Sequence, residues 1–298
     1  MLKAFSEADL KKLYIPLSTS HKGQNGKLLI IGGSKLFHAA SLWSLKVASR
    51  IVDMVFYSSV PENNEIVKKV WRSQISLRET KQEFRDGIVI RRDQIEAYIE
   101  EADCVLIGPG LPRKEGQESG DDDTKELTEK LLKKYAHKKW VIDGGSLQVI
   151  DPDVLMRLNL PILTPHAKEF ELLKLKIKNE KLKNTIQNSK LEEQIALFAK
   201  LFNCVVLLKG QKDTVCSPQE CVKIEGGNAG MTKGGTGDVL AGLVAALYCK
   251  NDAFLSACAG SHINKKAGDQ LFERVGYFFN SSDLAEEIPK TMKELLWL

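Results

Sequence analysis

Short apolar runs rich in β-branched residues punctuate the chain. Most are followed by longer stretches whose apolar positions recur every three or four residues. Residues 28–31 read as a strand ending at Gly32-Gly33-Ser34. A helix is predicted over 39–53, with Leu42, Leu45 and Ser49 on related faces; 54–60 is the next strand and 65–71 is helical. Residues 104–107 run into Gly108-Pro109-Gly110, and Val141-Ile142 into Asp143-Gly144-Gly145-Ser146. Ile162-Leu163 runs into Thr164-Pro165-His166, and 204–208 into Lys209-Gly210. Nearly continuous apolar runs suit strands buried on both faces. Their alternation with helices predicts an α/β fold, with a mainly parallel central sheet and helices on both faces. Beyond Lys209 the style changes. Residues 214–216 and 221–224 predict a hairpin turning at Ser217-Pro218-Gln219-Glu220, and helical sequence dominates from Asp238 onward.

No linker or internal repeat interrupts this pattern, so 1–298 reads as one domain. Residues 113–124, with Asp121-Asp122-Asp123, read as an exposed loop whose acidic triplet is solvated rather than metal-binding. Residues 174–190, rich in Lys and Asn, read as a mobile surface segment. The chain is 43% hydrophobic and 28% charged, enough apolar sequence for a sizeable core. A formal charge of +4, with both signs interleaved, argues against a nucleic-acid footprint. No apolar run is long enough to span a bilayer, and the first residues lack a signal-peptide core. A soluble cytoplasmic protein is expected. The six cysteines form no C-x-x-C pair and have no histidine cluster. Cys216 and Cys221 flank the hairpin turn and could be bridged, but reduced thiols are the expectation for a cytosolic chain.

The polar and glycine-rich residues gather at the carboxyl ends of the strands, where open α/β sheets bind ligands. The densest cluster is residues 226–242, in which seven of seventeen residues are glycine. Val239, Leu240, Leu243, Val244 and Leu247 recur at helical spacing, so Gly234-Gly235-Thr236-Gly237 is a loop opening a buried helix. Free N–H groups and the helix dipole make such a loop an anion site, and glycine allows close approach. Asp238 stands in the first turn, where the dipole is expected to hold it ionised and ready to accept a proton from a substrate hydroxyl. The plain alternative is a helix cap preceded by a turn. The P-loop pattern is excluded, because Lys233 precedes the glycines instead of following them.

Taken together, the loops resemble the ADP- or ATP-dependent NAD(P)H-hydrate dehydratases of the ribokinase-like superfamily. The resemblance runs from about His21 to the last helix, over His21-Lys22-Gly23, residues 26–34, Gly108-Pro109-Gly110-Leu111, Asp143-Gly144-Gly145, Leu163-Thr164-Pro165-His166-Ala167-Lys168-Glu169, Leu208-Lys209-Gly210 and Gly234-Gly235-Thr236-Gly237-Asp238. It implies that Asp238 is the base acting on the hydroxyl of the hydrated nicotinamide ring. Gly234 to Gly237 would form the anion hole, with Gly235 and Gly237 nearest the chemistry. Lys209, Gly210, Gln211, Lys212 and Asp213, with Gly234, Gly235, Thr236 and Gly237, would hold the adenine nucleotide; Ala40, Gly110, His166 and Asp238 would contact the hydrated dinucleotide. Mg2+ would neutralise the phosphates, its ligands unassigned, and ADP is expected over ATP because Gly-Gly-Thr-Gly resembles the ADP-dependent branch. The partners implied are NADHX or NADPHX and the nucleotide, in a homo-oligomer that would be a tetramer.

Two departures stand out. Phe37-His38-Ala39-Ala40-Ser41 replaces the family's Tyr-x-Gly-Ala-Pro, and Arg50-Ile51-Val52-Asp53-Met54 replaces its Arg-x-Gly-Ala-Gly. A differently shaped dinucleotide loop is expected. Many members carry an N-terminal epimerase domain; here the chain begins about twenty residues before the dehydratase pattern, so that activity is expected to be absent. The same loops would serve a ribokinase-like small-molecule alcohol kinase, or a silent nucleotide-binding protein, although the latter predicts loss of Asp238. Among single residues, His166 reads as a binding residue over a capping one and Asp143 as a turn residue over a magnesium-side carboxylate. Lys209 reads as a phosphate or ribose contact, Asn228 as a carrier of an unusual backbone angle, and Trp43 and Trp71 as core or interface aromatics. His262 reads as core or surface, His21 as structural, and His38 is left open.

Overall fold

The computed structural model describes residues 2–73, 87–113 and 116–296. Among the described residues ten strands form one sheet: β1 (Lys3–Ala4), β2 (Lys27–Ile31), β3 (Met54–Ser58), β4 (Ile88–Val89), β5 (Cys104–Ile107), β6 (Lys139–Ile142), β7 (Ile162–Leu163), β8 (Val205–Leu208), β9 (Asp213–Cys216) and β10 (Cys221–Ile224). Their order is β1-β10-β9-β8-β7-β6-β5-β2-β3-β4. Every neighbouring pair is parallel except the two made by β9. The helices are α1 (His38–Ala48), α2 (Pro61–Ser73), α3 (Ile95–Glu101), α4 (Thr124–Lys134), α5 (Gly144–Val149), α6 (Ala167–Leu175), α7 (Glu180–Gln187), α8 (Leu191–Leu201), α9 (Thr236–Tyr248), α10 (Ala253–Val275) and α11 (Ser281–Leu295).

The period-2 alternation of side chains divides each central strand between two cores. Leu29 and Ile31 of β2 pack with Ile99, Leu131, Phe170 and Phe198 from α3, α4, α6 and α8. Leu28 and Ile30 face the other way, onto Leu45, Leu240, Val244 and Ala257 from α1, α9 and α10. A third apolar layer joins α9 and α10 to α11 through Leu243, Ile263 and Ile288. The doubly covered sheet thus has the architecture the apolar runs predict. Among the described residues no helix is long and apolar enough to cross a membrane.

Several boundaries differ from the sequence reading. The helix expected over 39–53 ends at Ala48, because Asp53 is recruited elsewhere: its carboxylate accepts from Gly23 N at 2.8 Å and Asn25 N at 3.0 Å. The strand expected over 54–60 stops at Ser58, and Ser59 N donates to Asn64 at the start of α2. The segment expected to be mobile is helical: Asn179 caps α7, and Lys174 is buried, donating to Glu171 and Gln194. The acidic triplet is structural rather than simply solvated. Asp121 accepts from Lys35 N at 2.9 Å, Asp122 pairs with Arg92 at 2.8 Å, and Asp123 caps α4. Residues 114 and 115 of that loop, and the Trp71 side chain, lie outside the described residues.

Cys216 and Cys221 stand directly opposite each other in the β9–β10 register, with Cα atoms 4.1 Å apart, and are joined by a disulfide. This corrects the expectation of reduced thiols for that pair: the hairpin register, invisible in the spacing alone, brings the two sulfurs together. The other four cysteines are free and buried.

The strand order reverses between β2 and β5. From β2 the chain proceeds to β3 on one side; from β5 it proceeds to β6 on the other. Such a switch point leaves a crevice at the strands' carboxyl ends.

Candidate active site

At the switch point two glycine loops touch. Gly33, at φ +71°, donates its N–H to Pro109 O at 2.7 Å. Gly110 also has φ +71°, and a Cβ there would lie 2.4 Å from Phe37 O. Only glycine meets both demands. Beside them opens a cavity of about 520 Å³ lined by Phe37, Ala40, Gly110, Leu111, Arg113 and Gln148, among others. Ala40 and Gly110, the expected substrate contacts, are therefore brought together. Phe37 stands half exposed at this cavity, in the segment where the family motif is altered.

His166 takes a different place. It caps α6: its Nδ1 accepts from Glu169 N at 3.3 Å, while Glu169 accepts from His166 N at 3.0 Å. The capping role, passed over in the sequence, is thus present. Glu169 also accepts from Gln148 of the cavity wall at 3.3 Å, so His166 stands two contacts from that space.

A second cavity, of about 440 Å³, lies between the β8–β9 loop and the start of α9. Lys209, Gly210, Gln211, Asp213, Thr236 and Gly237 line it, together with Asn228, Asn264 and Lys265. Lys212, although expected here, forms a surface pair with Glu225 at 2.5 Å. Asp213 is buried and shapes the loop, accepting from Gly210 N at 2.9 Å and Ser261 Oγ at 2.7 Å. Lys265 is the main residue the sequence reading missed. Its ammonium donates to Gly210 O at 3.1 Å, Gln211 O at 3.0 Å and Gly226 O at 3.2 Å, and lies 3.3 Å from Asp213. Asn228 has an ordinary extended backbone, which corrects its reading as a strained position; the positive φ values fall on Gly226 and Gly227. It instead buckles the loop to α10 by donating to Gly268 O at 2.8 Å.

The loop opening α9 separates the roles of its glycines. Gly235 has φ +93° and lies against the Trp43 ring, whereas Gly234 has open space where a side chain would be. Ser281 Oγ donates to Gly234 O at 2.6 Å, and Thr236 Oγ donates to Met231 O at 2.7 Å. The Gly234 carbonyl is thereby turned back into the protein. First-turn N–H groups lack intrahelical acceptors, so the positive end of α9 faces the space above the loop.

Asp238 follows in that first turn, anchored where Ser44 Oγ of α1 donates to its carbonyl at 2.7 Å. Its carboxyl ionises less readily than expected. Burial first, then the negative charges of Asp143 and Glu169, push its pKa up to about 7 against the opposing pull of Lys209. These effects outweigh the dipole, which corrects the sequence reading. A pKa near neutrality suits a base that must accept a proton and release it.

Asp143 is more than a turn residue. It is buried, and its Oδ1 accepts both the Thr164 hydroxyl at 2.7 Å and the Lys209 ammonium at 3.1 Å. Burial disfavours the Lys209 charge, but Asp143, Glu169 and Asp238 outweigh it and raise its pKa above the usual lysine value. Lys209 lines the second cavity and Gly144, next to Asp143, lines the first. The ion pair of Lys209 with the buried Asp143 therefore stands between residues that line the two spaces.

This arrangement defines a class: a ribokinase-like α/β fold in which a glycine loop, bordering a cavity of about 440 Å³, opens a helix whose first turn carries a carboxylate. Residues 28–290 match the NAD(P)H-hydrate dehydratase family, and the chain belongs to it. It is 37% identical over 289 residues to the bifunctional NAD(P)H-hydrate repair enzyme of Methanocaldococcus jannaschii, covering 96% of this chain and 52% of that one. It is 34% identical to the ADP-dependent (S)-NAD(P)H-hydrate dehydratase of Nitrosopumilus maritimus, over 95% of each. The chain thus spans about half the length of the bifunctional relative. Its fold is shared with a Bacillus subtilis ADP/ATP-dependent NAD(P)H-hydrate dehydratase co-crystallised with ATP and Mg2+, at TM-score 0.77 and 22% identity, covering 99% of both chains.

Proposed function

We propose that this protein dehydrates hydrated NADH and NADPH at the expense of an adenine nucleotide. The observation that carries the reading is the pair of cavities joined by Asp143 and Lys209, with Asp238 at the start of α9 beside them. The first cavity would take the hydrated dinucleotide, with Ala40 and Gly110 at its wall and Arg113 supplying a cation for its phosphates. The second would take ADP, or ATP, on Lys209, Gly210 and Gln211. Gly235 and Gly237 would shape the anion loop.

Asp238 accepts the proton of the ring hydroxyl as that oxygen attacks the terminal phosphorus, and the nucleotide leaves one phosphate shorter. The phosphorylated oxygen then departs as inorganic phosphate, its C–O bond breaking as the neighbouring ring carbon loses a proton, and the ring double bond is restored. Positioning and charge stabilisation carry such a transfer. Magnesium fits as an ion carried on the nucleotide: among the described residues no three His, Cys, Asp or Glu side chains gather as a cage, and phosphate-borne magnesium needs few protein ligands. When bound it neutralises phosphate charge.

The family relatives support the reaction, and the N. maritimus enzyme supports ADP as the phosphate donor. We further propose that residues 1–298 act as one unit, in a cytoplasmic homo-oligomer. The deciding experiment incubates the protein with hydrated NADH, Mg2+ and ADP or ATP, and follows reduced-nicotinamide absorbance. Recovery that depends on nucleotide supports the proposal; no recovery with either nucleotide refutes it. Light scattering of the same sample tests the oligomer.

A further inference from the structure

Asp143 touches neither cavity directly, yet it has one of the most constrained carboxylates in the protein. Its residue is 3% exposed, and one oxygen holds both a buried threonine and an ammonium. Thr164, at the end of β7, is fully buried, and Lys209, just past the end of β8, is half-buried. The Asp143 backbone is equally fixed, its N–H donating to Ile107 O at the end of β5 at 3.0 Å. The ends of β7 and β8 therefore converge on this carboxylate, and the end of β5 holds its backbone. On the far side, the Lys209 ammonium lies 3.4 Å from where a Gly237 side chain would begin, against the anion loop. Lys209 is thus held between a buried anion and the place where a phosphate would arrive.

We infer that Asp143 is a positioning residue, which fixes the Lys209 ammonium against the glycine loop that opens α9, beside Asp238. The inference rests on the proposed function. The charged groups facing Asp238 are Asp143 at the start of α5, Glu169 on α6 with its partner His166, and Lys209 at the end of β8. The start of α9 adds its dipole, and α1 contributes only the Ser44 hydroxyl. Asp143 acts in two ways. Its negative charge favours the protonated form of Asp238, and it draws Lys209 toward itself, limiting the cation's pull on Asp238. Loss of its charge therefore lowers the proton affinity of Asp238 by both routes.

The test compares Asp143→Asn with the unaltered enzyme. Asparagine keeps the shape and an acceptor oxygen and removes only the charge. Across pH 5 to 9, kcat for the hydrated dinucleotide is expected to fall on the order of tenfold at neutral pH, as a misplaced cation does. KM for that substrate stays within about threefold, and the acidic limb of kcat/KM moves to lower pH. Lys209→Met moves the limb the opposite way. A folded Asp143→Asn enzyme whose limb stays in place overturns the inference, because a purely structural carboxylate would not shift it. Should that variant fail to fold, Thr164→Val serves: it leaves every charge in place, frees one tether, and must lower kcat several-fold at constant KM. An unchanged kcat then refutes the positioning role. Carbon-13 NMR of labelled aspartate separates this from failure of the proposed activity. The Asp238 titration midpoint must fall in Asp143→Asn whether or not hydrated NADH is turned over.

Discussion

Gly235→Ala is the sharpest single perturbation of the anion loop. The position requires φ +93°, a conformation that costs an L-residue about 1–2 kcal/mol. The new methyl carbon would lie 2.2 and 2.3 Å from two Trp43 ring carbons and 2.7 Å from Ser281 Oγ. Overpacking of that kind costs about 1–3 kcal/mol even after relaxation. Together these predict a destabilisation of about 2–5 kcal/mol. At roughly 2–4 °C per kcal/mol, Tm falls by about 4–20 °C. Relief must come from moving Trp43 or the loop, and a shift of about 1 Å costs on the order of a hundredfold in turnover. Gly234→Ala is the matched control: its φ is not positive, and nothing lies within 4 Å of the added carbon. Thermal unfolding by circular dichroism and nucleotide-dependent recovery of NADH would be measured on both variants. Gly234→Ala should keep its Tm, and any loss of activity it shows reports a ligand using that open space. A Gly235→Ala protein with unchanged Tm and turnover would refute the view that Trp43 is a rigid floor beneath the loop.

Asp238→Asn should abolish turnover while nucleotide binding by calorimetry persists; retained activity removes Asp238 from the role of base. Because folding raises the Asp238 pKa from 3.8 to about 7, its stabilising contribution is full below the unfolded value and is lost as pH rises through neutrality. Between pH 5 and 8 the wild-type Tm should therefore decline relative to that of Asp238→Asn, and parallel curves would contradict the raised pKa. Lys265→Met leaves Asp213 buried beside three unpaired carbonyls, so a loss of about 3–5 kcal/mol in denaturant melts and a weakened nucleotide affinity are expected. Thiol titration of the denatured, unreduced protein should find four free cysteines, with six after reduction; six at the outset would rule out the Cys216–Cys221 bridge.

The central strands were legible because burial on both faces leaves a run with almost no polar residues, as in Cys104–Ile107. The two-residue edge strand β1 carries no such run, and pairing alone defines it; β4 sits in the short run Ile88-Val89-Ile90, which the sequence reading left unassigned. The loop at Gly234 to Gly237 and its helix start were equally legible, since glycine content and the following apolar period are local signals. What escaped was long-range. Lys265 lies on a helix where a lysine ordinarily reads as solvated, and only the docking of α10 against the β8–β9 loop turns it inward. Asp143 followed a strand and preceded glycines, which is the grammar of a turn; its ion pair with Lys209 exists only because β6 and β8 flank β7. The dipole argument for Asp238 was sound locally, but the carboxylates opposing it arrive from α5 and α6.

The contact between Ser44 and Asp238 ties α1 to α9 across a sequence separation of 194 residues. Strands β2, β3 and β5 to β8 can pair as the chain is made, whereas the corner around Asp238 must wait for α9. At a synthesis rate of about 5–20 residues per second, the nascent chain carries a glycine-lined but unfinished crevice for on the order of ten seconds or more. Its first strand waits as well, since Lys3 and Ala4 pair only with Val222 and Lys223. The apolar face of β2 that α9 later covers is open throughout that interval. Folding of this protein is therefore most exposed to aggregation just before it becomes competent to act.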